Sequence, residues 1–260
     1  MKPVAFRYER PESVEEAAAV LAEHGDEAKV LAGGQSLVPA LNMRVARPSV
    51  IVDVNRLPLG DVSRENGSWR VGALVRQADR RLLDHPLLAE AIPYVGHFAT
   101  RNRGTVAGSL AHADASAELP LCLTLLGGSV VTSAGREVSA GELFVTHWTT
   151  SLAPTELVVE SRWPAAGLGA GFAFCELAQR HGDFALCAAA AVARGDELRV
   201  AVGAVVERPT VLEVDPDAPG ESAAAQVEPY GNLHASAAYL RNLVRVLVDR
   251  AAARARERSA

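Results

Sequence analysis

The 260-residue sequence predicts a fold of mixed helices and strands, in which an α/β region is followed by a smaller region of different style. Near the N-terminus, strand, helix and strand alternate, which favours an α/β unit. From about Trp69 a similar alternation restarts. The glycine-bearing stretch 164–171 then marks the best candidate for a domain boundary, because glycine and proline interrupt regular structure.

The first predicted helix begins at Ser13. Ser13 and Glu16 match the S-x-x-E capping box, in which each side chain accepts a hydrogen bond from a backbone N–H at the helix start. Gly25 predicts the end of this helix. Short apolar runs predict strands at 29–31 and 50–54.

The second region is predicted to contain further strands and helices around a long polar stretch. We place strands at 70–73, 129–132 and 157–163, and helices at 77–83, 87–98 and 119–126. The polar, glycine-bearing stretch 100–114 is too irregular to be a strand or a helix throughout. Because loops of that length inside compact domains are usually functional, this stretch is a candidate site.

The C-terminal region is predicted to end in one long helix. Two apolar runs, 185–193 and 198–206, predict a two-stranded meander before it. The segment 215–229 is rich in Pro, Gly, Ala and acidic residues, and we expect a flexible connection there. The helix is predicted over 234–258, with apolar residues on one face and arginines crowded at its end.

Composition and charge exclude several classes of protein. Apolar residues make up 49% and charged residues 22%, which excludes a disordered or fibrous chain. The net charge of -5 gives no electrostatic reason to expect nucleic acid as a partner. The longest uncharged apolar run near the middle, 184–193, is about half the length that a membrane span needs, and no secretory signal is visible. We therefore expect a soluble, cytoplasmic chain.

Cysteine and histidine positions argue against a metal site. Cys122, Cys175 and Cys187 lie far apart without a C-x-x-C spacing, which excludes ligands for an iron–sulfur cluster or a structural zinc. No histidine has an i,i+4 partner histidine, and no G-x-S-x-G motif indicates hydrolysis. The sequence therefore assigns no metal ligand and no catalytic acid or base.

The segment AGGQS, Ala32–Ser36, is the first candidate binding loop. It follows a predicted strand and precedes an apolar, helical stretch at 37–43. Its two glycines leave successive backbone N–H groups uncovered, and such groups at the start of a helix bind anions. A pyrophosphate is the expected occupant, with further donors on Gln35 and Ser36. The alternative is an ordinary strand-to-helix turn, since the loop matches neither the P-loop nor the G-x-G-x-x-G spacing.

The second candidate loop, 103–114, lies about 70 positions further along and also combines small residues with hydroxyl groups. The two loops would hold one diphosphate from opposite sides. Asp114 would accept a hydrogen bond from a ribose or ribityl hydroxyl, or from a flavin ring N–H. The alternative for Asp114 is the N-cap of a helix that begins near Ser116.

The two loops, AGGQS and the run RNRGTVAGSLAHADASAELP at 101–120, closely resemble the signatures of the FAD-binding medium subunit of molybdenum hydroxylases. This family includes aerobic carbon monoxide dehydrogenase and xanthine dehydrogenase. The stretch RHGDFA at 180–185 and the helix start HASAAYLR at 234–241 are similar to two further motifs of the family. The resemblance therefore extends over nearly the whole chain.

The resemblance implies a vanillyl-alcohol-oxidase-like, or PCMH-type, FAD-binding fold of the α+β class. Two α/β subdomains, about 1–56 and 57–165, would form an FAD-binding domain over 1–165. A small α+β domain of the carbon monoxide dehydrogenase flavoprotein type would follow at 170–260. The segment 206–234 looks shorter than is usual in the family, which we interpret as the loss of a helix.

The resemblance also assigns the cofactor-binding residues. The first loop would take one side of the pyrophosphate with Ala32, Gly33, Gly34, Gln35, Ser36 and Leu37, and the second loop would take the other side with Gly104, Thr105, Ala107, Gly108 and Ser109. Asp114 would bind the ribityl or adenosine side, and Leu157 and Glu176 would line the adenine or flavin pocket. Ala107 replaces the first glycine of a family pair, which would be unfavourable if that position required a positive φ. His112 lies in the same loop, but we expect the FAD to be bound non-covalently.

The function that the resemblance implies is electron transfer. In such complexes a molybdenum cofactor in a large subunit oxidises the substrate, and [2Fe–2S] clusters in a small subunit carry the electrons to this FAD, which passes them to an external acceptor. The expected assembly is a dimer of heterotrimers. Two alternative functions remain: a self-sufficient FAD-dependent oxidase or dehydrogenase, and a redox-inactive nucleotide-binding subunit.

Overall fold

The computed structural model describes residues 1–165 and 167–260, and Ala166, inside the predicted boundary at 164–171, lies outside the described residues. The strands are β1 (Arg7–Glu9), β2 (Ala28–Leu31), β3 (Val50–Asp53), β4 (Val62–Glu65), β5 (Ser68–Gly72), β6 (Ser129–Thr132), β7 (Glu137–Ser139), β8 (Phe144–Thr146), β9 (Thr149–Thr150), β10 (Val158–Pro164), β11 (Gly171–Ala178), β12 (Ala185–Arg194), β13 (Glu197–Gly203) and β14 (Thr210–Leu212). The α-helices are α1 (Val14–His24), α2 (Leu37–Asn42), α3 (Pro86–Ala91), α4 (Phe98–Arg103), α5 (Val106–His112), α6 (Glu118–Leu126), α7 (Ala140–Leu143), α8 (Pro219–Ala225) and α9 (Ala237–Arg258).

The first sheet is parallel, with strand order β1-β3-β2. α1 packs against β2 and β3 and begins as predicted, since the Ser13 side chain accepts a hydrogen bond from the N–H of Glu16 at 3.1 Å. Ala17 and Leu21 of α1 are buried and close a small core over the sheet. Because the three strands run in the same direction, their carboxyl ends lie along one edge.

The second sheet is antiparallel, with strand order β4-β5-β10-β6-β7. Its largest fully buried side chain is Trp163, whose indole N–H donates to Ser161 Oγ at 2.9 Å. α6 packs against β10 of this sheet and against β12 and β13 of the next one, and every residue of α6 is buried. A helix that is buried on all sides belongs inside a core, and here it joins two sheets.

Two helices predicted for the second region are shorter than expected. The helix expected at 77–83 is a short 3-10 helix at 80–84, in which the side chain of Asp79 accepts the N–H of Arg81 at 2.9 Å. The helix expected at 87–98 is interrupted, because α3 ends at Ala91 and passes into another 3-10 turn. Pro93 in that turn has no N–H with which to continue an α-helix.

The C-terminal region contains four antiparallel strands in the order β11-β12-β13-β14, instead of the two that were expected. β11 begins with an uncharged apolar run, 171–175, a pattern that does not distinguish a buried strand from a helix. α9 covers this sheet and begins at Ala237 with Ser236 as its N-cap, three residues later than predicted. Although α9 is long, neither it nor another helix in the described part of the chain is apolar enough to span a membrane.

The segment expected to be a flexible connection, 215–229, contains α8. This helix lies in the segment from which we expected a helix to be lost, and it packs against α9. Pro219 and Gly220 at its start resemble helix breakers in the sequence, but proline is favourable in the first turn of a helix. The N–H of Gly220 donates to Asp249 Oδ1 at 2.8 Å, which fixes α8 to α9.

Replacing Gly220 by alanine is expected to lower the free energy of unfolding by about 1–3 kcal/mol, the usual effect of overpacking. A methyl group there would lie 2.2 Å from the carbonyl oxygen of Arg245 and 2.4 Å from Cγ of Asp249. Gly141→Ala is the matched control, because no atom lies within 4 Å of a methyl group at that position of α7. Urea unfolding of both variants measures the difference, and equal stabilities would show that α8 is not packed tightly on α9.

Candidate functional site

The first candidate loop lies at the carboxyl edge of the parallel sheet. β2 ends at Leu31 and continues directly into Ala32–Ser36, and α2 follows from Leu37, as the sequence predicts. β3 ends at Asp53, and Asn55 lies just beyond it. Because ligands of open parallel sheets bind outside the carboxyl ends of the strands, this loop lies where such sheets bind ligands.

An open cavity of about 700 Å³ lies at this edge. Residues of the first loop and α2, residues in or just beyond the ends of the three strands, and two arginines from the second region surround it. The lining residues are Tyr8, Arg10, Leu31, Ala32, Gly33, Gly34, Gln35, Val38, Pro39, Asp53, Asn55, Arg76 and Arg103. Ser36 and Leu37, which were also expected in the site, are not among them.

The two candidate loops meet at Gly33. A methyl group on Gly33 would lie 2.5 Å from the carbonyl oxygen of Arg103 and 2.7 Å from Cα of Gly104. No side chain fits between two backbones at this distance, so the contact requires glycine. Gly34 has a φ of 72°, which also favours glycine. The sequence predicts that the loops oppose each other, and the structure places them in contact at the cavity.

The second candidate loop is helical over most of its length, so the prediction of an irregular stretch at 100–114 is wrong. α4 ends at Arg103, and α5 begins immediately after Thr105. Thr105 is the N-cap of α5, and its Oγ1 accepts the N–H of Gly108 at 3.0 Å. Only the short junction between the two helices is extended, and this junction carries Gly104 to the first loop.

Four residues expected on the pyrophosphate lie in or next to α5 and do not line the cavity. Thr105 and Ala107 are buried, and Gly108 and Ser109 are half-buried. Ala107 has no positive φ, since it lies in the first turn of the helix. The methyl group that replaces a family glycine therefore packs into the core without backbone strain.

Asp114 is buried and is held by hydrogen bonds within the chain. Its Oδ1 accepts the N–H of Ser116 at 2.8 Å, and its Oδ2 accepts the indole N–H of Trp148 at 3.3 Å. Because α6 begins only at Glu118, Asp114 closes a local turn and is not the N-cap of that helix. Asp114 also does not line the cavity. Trp148, at the tip of the β8–β9 hairpin, remains 64% exposed.

Leu157 and Glu176 also lie outside the lining of the cavity. Leu157 is buried in the core beside the parallel sheet, and its N–H donates to Ser133 Oγ at 3.2 Å. Glu176 lies on β11, and its Oε2 is buried without a hydrogen-bond partner among residues 1–165 and 167–260. The structure therefore does not bring these two residues to the first loop.

Two buried carboxyl groups have strongly raised pKa values. Burial raises the pKa of Glu176 to about 8, with a further contribution from the charge of Glu118. Burial also raises the pKa of Glu118 to about 7, with a further contribution from the charge of Asp114. Both groups therefore gain protons close to neutral pH.

Several residues of the cavity were missed by the sequence analysis. They are Tyr8, Arg10, Leu31, Val38, Pro39, Asp53, Asn55 and Arg76, together with Arg103, which begins the second candidate loop but was not assigned to the site. Burial by itself raises the pKa of Asp53, but hydrogen bonds from Tyr8 and Asn55 outweigh it and lower that pKa below its ordinary value. Their positions in the sequence could have indicated two of these residues, because Arg10 and Asp53 lie at the carboxyl ends of strands in the parallel sheet.

The sequence is similar to subunits of several multi-subunit dehydrogenases. The family described as FAD binding domain in molybdopterin dehydrogenase matches residues 4–166. Subunit alpha of the 6-hydroxypseudooxynicotine dehydrogenase complex of Paenarthrobacter nicotinovorans is 38% identical, over 100% of this chain and 97% of that protein. Caffeine dehydrogenase subunit beta of Pseudomonas sp. (strain CBB1) is 40% identical, over 77% of this chain and 71% of that protein.

The fold is similar to chains of two solved oxidoreductases. A chain of carbon monoxide dehydrogenase from Hydrogenophaga pseudoflava superposes with a TM-score of 0.95 and 32% identity, over 100% of both chains. A chain of quinoline 2-oxidoreductase from Pseudomonas putida 86 superposes with a TM-score of 0.90 and 35% identity, over 99% of both chains. The expected PCMH-type fold of mixed helices and strands is thereby confirmed.

Replacing Glu118 or Glu176 by glutamine is expected to reduce the loss of stability between about pH 5 and pH 8. Glutamic acid titrates near 4.3 in an unfolded chain, so over this window the folded chain binds more protons than the unfolded one. The stability that these two protonated side chains contribute is fully present below the pKa of the unfolded chain. It is lost as the pH rises through about 7 for Glu118 and about 8 for Glu176. Glutamine resembles the protonated form at every pH. Denaturant unfolding across this range measures the slope, and the exposed control Glu257→Gln should keep the wild-type slope.

Proposed function

Because the chain belongs to the family of FAD-binding domains of molybdopterin dehydrogenases, we propose that it is the FAD-binding electron-transfer subunit of a multi-subunit molybdenum hydroxylase. The observation that carries the proposal is the similarity, over the entire chain, to subunits of multi-subunit dehydrogenases. This similarity favours a subunit over the two alternatives, a self-sufficient FAD-dependent oxidase and a redox-inactive nucleotide-binding protein.

The cavity at the parallel sheet suits the diphosphate of FAD. Arg10, Arg76 and Arg103 line it, and Gly33 and Gly34 border it without side chains. Arginine side chains and uncovered backbone N–H groups are the groups with which proteins bind phosphate. The diphosphate therefore lies, on this proposal, between the first loop and the junction of α4 and α5.

The other predicted residues have a different place in the proposal. Gly108 and Ser109 extend from the loop contact along α5, towards the buried Asp114 at its far end. Leu157 and Glu176 lie away from the lining of the cavity. We keep Gly108, Ser109, Asp114, Leu157 and Glu176 as candidates for binding the ribityl, adenine or flavin parts of FAD, away from the diphosphate.

Bound FAD would supply the redox chemistry, taking electrons from [2Fe–2S] clusters of a small partner subunit and passing them to an external acceptor. The chain's own task is to bind FAD non-covalently and to hold it in a fixed orientation. Substrate oxidation would take place at a molybdenum cofactor in a large partner subunit. The proposed assembly is a dimer of heterotrimers in the cytoplasm.

The purified chain is expected to contain about one FAD, released by acid or heat, and Gly33→Ala is expected to lose most of it. The added methyl group would force the first loop away from Arg103 and Gly104 and so open the site. The visible absorption spectrum before and after denaturation measures the content. Gly60→Ala is the control, because no atom lies within 4 Å of a methyl group there. Full FAD content in Gly33→Ala would disprove the role of the loop contact.

The tagged chain, purified from its own cells under native conditions, is expected to elute with molybdenum, iron and FAD in a fixed ratio. The proposed complex holds about one molybdenum cofactor and two [2Fe–2S] clusters for each copy of this chain. We therefore expect about one molybdenum atom and four iron atoms per FAD. Elemental analysis of the eluted complex gives the ratio. A flavin-loaded chain that elutes as a single species without either metal would instead support a self-sufficient flavoenzyme.

A further inference from the structure

Two arginines at the cavity have no acidic partner within the described ranges 1–165 and 167–260. Neither Arg76 nor Arg103 forms an ion pair there, although both line the cavity. Burial lowers the pKa of Arg76, and the nearby charge of Arg103 lowers it further. Arg76 is half-buried and Arg103 is exposed. Like charges at one cavity repel each other, so a bound anion would stabilise both.

The acid of the same cavity, Asp53, is already engaged. Its carboxylate accepts hydrogen bonds from the hydroxyl of Tyr8 and from the backbone and side-chain N–H groups of Asn55. Arg10 lies 4.0 Å from the same carboxylate. Asp53 is therefore used to position its neighbours, and it does not form an ion pair with either arginine.

Asn55 holds the guanidinium of Arg76 in place. The side-chain amide of Asn55 donates to Asp53 Oδ1 at 2.6 Å and to the carbonyl oxygen of Ala32 at 2.8 Å. These two bonds fix which end of the amide is the donor, so Asn55 Oδ1 is left as an acceptor, and Arg76 Nη2 donates to it at 2.7 Å. Arg76 Nη1 also donates to the carbonyl oxygen of Arg103.

Arg76 therefore links the two loops. Through Asn55 it is connected to Ala32 of the first loop, and directly to Arg103 at the junction of α4 and α5. These contacts use two of its five N–H donors, and the others remain available to a ligand. A planar guanidinium with free donors matches phosphate oxygens in a way that a lysine ammonium does not.

We propose that Arg76 and Arg103 bind the diphosphate of FAD, and that Asn55 is the positioning residue that holds Arg76 for this contact. The inference rests on the proposed function, because it takes FAD as the ligand. The site recognises a diphosphate flanked by organic groups, and ADP carries the same chemistry without the flavin.

The test compares the binding of FAD and of ADP to the flavin-free chain at low and high salt. The variants are Arg76→Gln, Arg76→Lys, Arg103→Gln and Asn55→Ala. Arg80→Gln is the matched control, since this exposed arginine lies four positions from Arg76 and does not line the cavity. Flavin fluorescence gives the Kd for FAD, calorimetry gives the Kd for ADP, and thermal unfolding of the flavin-free chain shows whether each variant folds.

Arg76→Gln and Arg103→Gln are each expected to raise both Kd values about tenfold to a hundredfold and to weaken their dependence on salt. Arg76→Lys, which keeps the charge, should bind more weakly than the wild type and keep most of the salt dependence. Asn55→Ala should weaken binding in the wild-type background but add little in the Arg76→Gln background.

Wild-type Kd values in both glutamine variants would overturn the proposal, as would weaker binding with an unchanged salt dependence, which indicates a purely structural role. A wild-type chain that binds ADP but no FAD would contradict the proposed function and leave the anion site standing. A chain that binds FAD while the arginine variants behave like Arg80→Gln would leave the proposed function standing and remove the anion site.

Discussion

The contact between Gly33 and the junction of α4 and α5 determines the geometry of the cavity. It joins the loop that follows the parallel sheet to the junction of two helices in the second region, and it leaves no room for a side chain on Gly33. Gly104 is fixed on its other side, since its carbonyl oxygen accepts the N–H of Gln77 at 2.9 Å, and a methyl group on it would lie 2.3 Å from Gln77 Oε1. The first loop is therefore positioned by the second region as much as by its own strand.

A second set of contacts fixes the far end of α5. The carbonyl oxygen of Ala113 accepts the N–H of Trp148, and the carbonyl oxygen of Ala115 accepts the N–H of Ala204 from the C-terminal region, at 2.8 and 2.7 Å. α6 follows at once and is buried between the second and third sheets. The segment that contains Asp114 is thus held by contacts from both the second region and the C-terminal region.

Sequence reasoning predicted the parts of this site that depend on local chemistry. The turn from β2 into α2 was predicted correctly because two glycines follow an apolar run. The start of α1 was predicted correctly because its capping residues, Ser13 and Glu16, lie within one turn of the sequence. α4 and α5 were missed because each helix is short and the extended junction at Gly104 and Thr105 separates them. The role of Thr105 as an N-cap is visible only once a helix is assumed. Asn55 and Arg76 were missed for another reason. Their contacts join elements about 20 positions or more apart, and no local pattern indicates such a contact.

The placement of the tryptophans gives the molecule a spectroscopic asymmetry. Trp69 and Trp163 are buried in the core of the second sheet, whereas Trp148 is largely open to solvent beside the segment that holds Asp114. The emission of the two buried indoles should be blue-shifted and protected from ionic quenchers, and that of Trp148 should be red-shifted and readily quenched. The long-wavelength part of the intrinsic fluorescence therefore comes from Trp148 and reports on one face of the molecule. A subunit that covers the β8–β9 hairpin would shift this emission to shorter wavelength, so its binding could be followed without an attached dye.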